Sequence, residues 1–142
     1  MNVSRILALA LCLVATGVSA HEKDAPAAGK PPYSITPVMK QAMSDTGLAD
    51  YELMSVRLDL VPGGVDATPH RHDADLFVYV LEGSIEVELD GRKATYAAGT
   101  MFHEPRNALH SLLRNTSADQ PASALAVFIL KNGREFFVPA VQ

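Results

Sequence analysis

The sequence predicts an all-β fold, and three observations support this. From Tyr51 onward, apolar and polar residues alternate with the two-residue period of a strand. Turn signals containing Gly, Asn or Pro recur at intervals of roughly 8–12 residues. No segment after Tyr51 carries the longer apolar period of an amphipathic helix. About eight short strands separated in this way are typical of a β-sandwich or a small barrel.

Residues 1–20 predict a secretory signal peptide. The single basic residue Arg5 precedes an apolar run that includes Cys12, and Val18-Ser19-Ala20 resembles a small-residue cleavage site. The run is shorter than the roughly 20 apolar residues that span a bilayer, although a retained N-terminal anchor is the alternative. We therefore expect a periplasmic or secreted protein with no stable membrane insertion after cleavage. Cleavage would leave a chain without cysteine, which suits an oxidising compartment.

Residues 21–49 predict a flexible lead-in to a domain that occupies residues 50–142. The lead-in begins with a stretch rich in Ala, Pro, Lys and Glu, which favours extended and mobile backbone. Met39 and Met43 lie at helical spacing, so one or two helical turns are expected at residues 37–43.

The strands of the domain are predicted from their alternation and from the turns between them. Residues 51–60 place Met54, Val56 and Leu58 on one face, and Pro62-Gly63-Gly64 ends the strand. Asp90-Gly91 is a strong hairpin signal. The other predicted strands are residues 76–81, 84–89, 93–97, 100–104, 109–113, 123–130 and 135–138.

The composition excludes several function classes. A formal net charge of −4 disfavours a nucleic-acid-binding protein, because such proteins present a basic face to phosphates. One cysteine excludes a disulfide scaffold and a cysteine-ligated zinc finger, and aromatic residues at 6% with no Trp disfavour a base-stacking platform. There is also no GxSxG motif to supply a serine nucleophile.

Four of the five histidines form two clusters. His70 and His72 are two residues apart, so on a strand both imidazoles project from the same face and can begin a metal site. His103 and His110 form the second cluster. The fifth histidine, His21, would become the N-terminal residue after signal cleavage and offers a weak Cu(II) chelate at most.

The order of these features resembles the cupin superfamily. The pattern is PGG…PHRH…FVYVLEGSIEVEL…AGTMFHEP…H…RN, and it extends over about residues 53–136. The similarity is closest to small exported single-domain cupins. It implies a jelly-roll barrel, also described as a double-stranded β-helix, with a divalent metal ion held by His70, His72 and His110. It also implies a role for Asn115 in stabilising a turn.

One position departs from the cupin pattern. The motif acid is expected seven residues before Gly83, where this chain has Leu76. Asp75 faces the opposite side of a strand, and Asp73 reaches the site only if its turn folds back. Three alternatives follow: Glu104 supplies the carboxylate, the three histidines bind the metal with open positions, or metal binding is lost. Glu104 shares strand parity with Phe102 and can point into the barrel, whereas His103 has the opposite parity and is expected to face outward.

The bound metal would be Fe, Mn, Zn, Ni or Cu, and its open positions suit a small organic molecule in an apolar cavity. Three hypotheses about function remain: an oxygenase-like or isomerase-like enzyme, a non-catalytic module that binds a small ligand or metal, and an interaction protein with a vestigial site. Cupin relatives commonly form homodimers, and the apolar residues Phe136-Phe137-Val138 are the expected edge for pairing. The predicted cavity-lining residues are Met54, Val56, Leu76, Val78, Val80, Phe102 and Leu109.

Overall fold

The computed structural model describes residues 31–140. The predicted signal peptide with Cys12, the histidine at position 21 and the first ten residues of the predicted lead-in lie outside this range. The one helix in the described range is a 3₁₀ turn at Thr46–Leu48. No helix within these residues has the length and apolar character that crossing a bilayer requires.

Eleven strands in the described part of the chain form two antiparallel sheets that face each other as a jelly-roll barrel, as predicted. The first sheet has the order β1-β2-β10-β5-β8, and the second has the order β11-β4-β9-β6-β7 with β3 also paired to β9. The strands are β1 Tyr33–Ala42, β2 Tyr51–Leu60, β3 Val65–Asp66, β4 His70–Arg71, β5 Ala74–Glu82, β6 Ser84–Leu89, β7 Arg92–Ala97, β8 Met101–Glu104, β9 His110–Asn115, β10 Ala122–Lys131 and β11 Val138–Pro139.

The barrel interior follows from the alternation seen in the sequence. Every second residue of β5 is buried from Ala74 to Val80. The opposite sheet contributes the buried residues Ile85 and Val87 of β6. The inward residues of β10 near its start are alanines, which add little bulk where that strand is paired on both sides. The interior is therefore lined by large side chains from some strands and small side chains from others.

The prediction of a helical turn at residues 37–43 is wrong. Residues 37–42 lie in β1, which pairs antiparallel with β2, so the first sheet starts within the predicted lead-in. Pro37 is tolerated because β1 is an edge strand, where one row of backbone groups has no ladder partner. The register shifts between Pro37 and Met39, which marks a bulge. Most side chains of β1 are exposed, so its sequence lacks the apolar alternation by which a strand is recognised.

The C-terminal segment also differs from its prediction. The strand predicted at residues 135–138 is reduced to Val138–Pro139, which pairs with β4. Phe137 stacks on the imidazole of His70 with ring centroids 4.4 Å apart, and Phe136 contacts Phe128 at 5.6 Å. Phe136 is thus packed against the core, whereas Phe137 and Val138 each keep more than a third of their surface exposed. Pairing of this segment with a second chain stays a prediction.

Gly83 is expected to tolerate substitution poorly. It has a φ of +71°, and a Cβ there would lie 2.9 Å from the Cβ of Ala122. Gly91 has a similar φ of +77° but open space around it. We expect Gly83→Ala to lower the free energy of unfolding by about 2–3 kcal/mol and Gly91→Ala by about 1 kcal/mol, measured by urea denaturation. Equal losses in the two variants would contradict the role given to the close contact.

Candidate metal centre

Three histidines meet at one end of the barrel because of the strand register. His70 in β4 lies directly opposite His110 in β9, and His72 follows two residues after His70 on the same face. The ring centroids are 4.8 Å apart for His70 and His110, and 4.9 Å apart for His70 and His72. All three side chains are buried. Residues that are 40 positions apart in the chain are therefore brought together on the inner surface.

The hydrogen bonds of the three rings determine which nitrogens can bind a metal. His70 donates from Nδ1 to the carbonyl of Thr68 at 2.8 Å, and His72 donates from Nδ1 to the carbonyl of Phe136. His110 donates from Nε2 to the carbonyl of Leu112 at 2.7 Å. A carbonyl oxygen only accepts, so each ring has its proton on the bonded nitrogen and a lone pair on the other. One nitrogen of each ring can serve as a metal ligand, and these three nitrogens lie within 4.8 Å of one another.

Glu104 adds a carboxylate to this group. Its side chain is 3% exposed, and Oε2 lies 3.3 Å from Nδ1 of His110 and 3.8 Å from Nε2 of His72. Glu104 pairs across the β5–β8 ladder with Leu76, the position where the motif acid was expected. Cross-strand partners project from the same face of a sheet. The carboxylate is therefore contributed by the strand next to the expected one and still lies near the histidines.

The chemistry of these atoms fits a divalent cation. Glu104 Oε2 and His110 Nδ1 are both buried and have no hydrogen-bond partner among the described residues. Two acceptors that face each other without a donor are costly in a dry interior, and a cation between them removes the cost. Three imidazole nitrogens and one carboxylate oxygen are a donor set that suits Zn, Fe, Mn, Ni or Cu.

The pKa values of the rings favour neutral imidazoles at two of the three positions. Burial, together with the neighbouring histidines, lowers the pKa of His70, and burial also lowers the pKa of His72. Burial acts on His110 in the same direction, but Nδ1 lies 3.3 Å from Glu104 Oε2, and the interaction with this carboxylate outweighs burial and raises the pKa of His110. At neutral pH, His70 and His72 therefore carry the free lone pairs that metal binding needs.

The other acidic candidates lie away from this centre. Asp75 is on the outer surface, as its parity predicted, and binds Nε2 of His103 at 2.9 Å. His103 is correspondingly exposed and stacks on Phe77. Asp73 is paired with Arg106, so its turn does not fold back onto the histidines.

Asn115 has a structural role, as the resemblance implied. Its amide nitrogen donates to the carbonyls of Val61 and Gln120, and its oxygen accepts from the amide of Ser117. Arg71 extends from between the two histidines to the carbonyl of Asn107 and does not line the cavity. These contacts join loops next to the centre to the sheets.

A cavity of about 70 Å³ adjoins the four side chains. Of the residues predicted to line it, Val56, Leu76, Val78 and Phe102 do so. Met54, Val80 and Leu109 do not: Met54 and Val80 pack in another part of the core, and Leu109 is a half-buried residue just before β9. Sequence reasoning missed several lining residues that come from the unpredicted strands and the C-terminal segment, namely Tyr33, Ile35, Asp66, Phe136 and Phe137. One feature of the sequence could have indicated that Asp66 lies near the site, namely its position between Gly64 and His70 within the cupin motif.

Comparison with known proteins agrees with the fold. The chain is 33% identical over 63 residues to the pectin degradation protein KdgF of Dickeya dadantii (strain 3937), which covers 44% of this chain and 56% of that protein. The chain thus matches little more than half the length of this relative. The solved structure of KdgF from Halomonas sp. is similar with a TM-score of 0.56 and 26% identity, over 73% of this chain and 84% of that one.

More distant structures share the fold. An oxalate oxidase in complex with the substrate analogue glycolate matches with a TM-score of 0.58 and 22% identity, over 77% of this chain and 57% of that one. The cupin domain model matches residues 56–128, which contain all four side chains of the candidate centre. The chain therefore belongs to the cupin family.

Proposed function

We propose that this protein is a metal-binding cupin that binds or transforms a small organic molecule inside the barrel. The observation that carries the proposal is three buried imidazoles whose ligand nitrogens lie within 4.8 Å of one another, with the unpartnered Glu104 oxygen 3.3 Å from Nδ1 of His110. His70, His72, His110 and Glu104 are the proposed ligands. The remaining alternatives are a set of three histidines without Glu104 and a site that has lost metal binding.

The side chains around the centre have separable tasks. A bound divalent metal supplies Lewis-acid polarisation of an oxygen on the small molecule. The backbone carbonyls of Thr68, Phe136 and Leu112 hold the rings in position, which preserves the geometry before binding. Apolar walls exclude water, which strengthens electrostatic interactions in the cavity.

An oxygenase-like or isomerase-like enzyme is our first candidate. The similarity to KdgF, whose name places it in pectin degradation, supports catalysis without identifying a substrate for this chain. A non-catalytic binding module is the second candidate, and the size of the cavity favours it. About 70 Å³ is well below the roughly 300–1,000 Å³ of pockets that hold drug-sized ligands, so only a small molecule fits beside the metal.

Export and dimerisation belong to the proposal as predictions from sequence. Residues 1–20 support delivery to the periplasm or the exterior. Phe137 and Val138 remain exposed beside the barrel, so the C-terminal segment is still one candidate surface for a homodimer. The edge strand β1 presents exposed Ile35, Val38 and Met39, and an apolar edge of this kind favours pairing with a second chain.

Substitution of Glu104 tests the proposed ligand set. We expect Glu104→Gln to weaken zinc binding by about tenfold or more, because the amide is a poorer ligand than the carboxylate. Asp75→Asn is the matched control, since that acid lies outside the barrel and should leave zinc affinity unchanged. The measurement is calorimetric titration of metal-free protein with zinc.

The possible outcomes separate the alternatives. An unchanged affinity in Glu104→Gln would assign the metal to the three histidines alone. Failure of the unsubstituted protein to bind zinc, iron, manganese, nickel or copper would overturn the proposal of a metal centre.

A further inference from the structure

Two polar side chains line the cavity in addition to the proposed metal ligands. They are Tyr33 in β1 and Asp66 at the end of β3. The Oδ1 atom of Asp66 accepts from the amide of Thr68 at 2.9 Å, and the carbonyl of Thr68 in turn accepts from Nδ1 of His70 at 2.8 Å. The carboxylate is therefore held by the same turn that positions a proposed ligand.

With the three histidines neutral, as metal binding requires, the charged side chains that line the cavity are both acidic. Among residues 31–140, no lysine or arginine lines it, whereas Glu104 and Asp66 both do. The arginines in the adjoining loops are engaged outside: Arg71 with the carbonyl of Asn107, and both Arg106 and Arg134 with Asp73. One divalent cation would balance the two carboxylates and leave the cavity neutral.

Charge balance then selects the kind of molecule that can enter. A neutral molecule preserves the balance, whereas an anion adds a net negative charge between apolar walls, where an uncompensated charge is costly. The metal attracts an anion, but Glu104 and Asp66 oppose that attraction and no cationic side chain lining the cavity assists it.

The hydrogen-bonding capacity of Asp66 indicates which polar group the bound molecule should carry. A carboxylate has about four acceptor sites, and those not used by Thr68 and Tyr33 are available to a donor in the cavity. Burial raises the pKa of Asp66, but its hydrogen bonds from Thr68 and Tyr33 outweigh this and lower the pKa overall. The group is thus ionised at neutral pH and acts purely as an acceptor.

We propose that the cavity selects a small neutral molecule with an oxygen for the metal and a hydroxyl group that donates to Asp66, and that it discriminates against carboxylate anions. This inference rests on the proposed metal centre. The α-hydroxyketones are the simplest compounds of this class. The cavity of about 70 Å³ restricts the molecule to a handful of non-hydrogen atoms.

Hydroxyacetone and glycolate form a matched pair for the test. They have the same number of non-hydrogen atoms and the same hydroxyl group, and they differ by a methyl group in place of a carboxylate oxygen. We expect zinc-loaded protein to bind hydroxyacetone at least about tenfold more tightly than glycolate at neutral pH, measured by calorimetry. Asp66→Asn removes the charge at constant shape and should reduce this preference to within about threefold, by strengthening glycolate binding and weakening hydroxyacetone binding.

The controls separate this inference from the metal centre on which it rests. Asp75→Asn removes a carboxylate outside the barrel and should keep the full preference. Zinc stoichiometry, measured first on each protein, shows whether the centre itself is present. Zinc-loaded protein that prefers glycolate, that binds neither compound at the highest soluble concentration, or that keeps its preference in Asp66→Asn would overturn this inference and leave the metal centre intact.

Discussion

Replacing His70 with alanine is expected to weaken zinc binding about 100- to 1,000-fold. Apparent binding free energies of about 10–16 kcal/mol for four-ligand zinc sites correspond to roughly 2.5–4 kcal/mol per ligand, and each 1.4 kcal/mol is a tenfold change. His70 is the cleanest of the three to remove, because Glu104 contacts His72 and His110 and would lose a neighbour in their absence. The measurement is competition titration with a chromophoric zinc chelator.

His103→Ala is the matched control for this substitution. It also removes an imidazole, but one on the outer surface, where the ring of His103 binds Asp75 and stacks on Phe77. We expect its zinc affinity to equal that of the unsubstituted protein. A loss in His103→Ala as large as that in His70→Ala would mean that the metal is not bound inside the barrel.

Replacing Asn115 with alanine is expected to lower the free energy of unfolding by about 3–4 kcal/mol. The side chain is 2% exposed and makes three hydrogen bonds to backbone groups of the two loops beside it. Each bond contributes about 1 kcal/mol, and a buried group left without a partner adds a desolvation cost of about 1–3 kcal/mol. Urea denaturation of metal-free protein measures the change.

Two further variants identify the cause of that loss. Asn115→Asp keeps the oxygen that accepts from Ser117 but removes both donors, so it should also be strongly destabilised. Asn132→Ala changes an exposed asparagine in a turn and should cost less than about 0.5 kcal/mol. A loss below about 1 kcal/mol in Asn115→Ala would contradict the structural role given to this residue.

The barrel and much of its centre were predictable from local sequence. Alternation along residues such as 74–80 reports which face of a strand is buried, because the side-chain period of a strand is two. The same rule placed Glu104 inside, and Asp75 and His103 outside. Odd and even positions along a strand are counted from the sequence alone. The buried face could therefore be predicted without knowing which strands are neighbours.

The elements that failed prediction depend on partners distant in the chain. The strand β1 has few buried residues, and its conformation follows from pairing with β2. Phe136 and Phe137 form an apolar run that fits an exposed edge equally well, and only the path of the C-terminal segment places them at the histidines. A local pattern carries no information about such contacts.

Side-chain periodicity and motif spacing were enough to predict the fold class, the strands that form most of the barrel and the histidines that face its interior. Strand pairing was needed to show which ring the Glu104 carboxylate approaches, since the pairing of Leu76 with Glu104 places that acid beside His110. The tertiary structure also decided which ring nitrogens remain free and which second acid, Asp66, lines the cavity. Those features depend on strand register and on backbone carbonyls contributed by remote segments, and they exist only once the two sheets have closed.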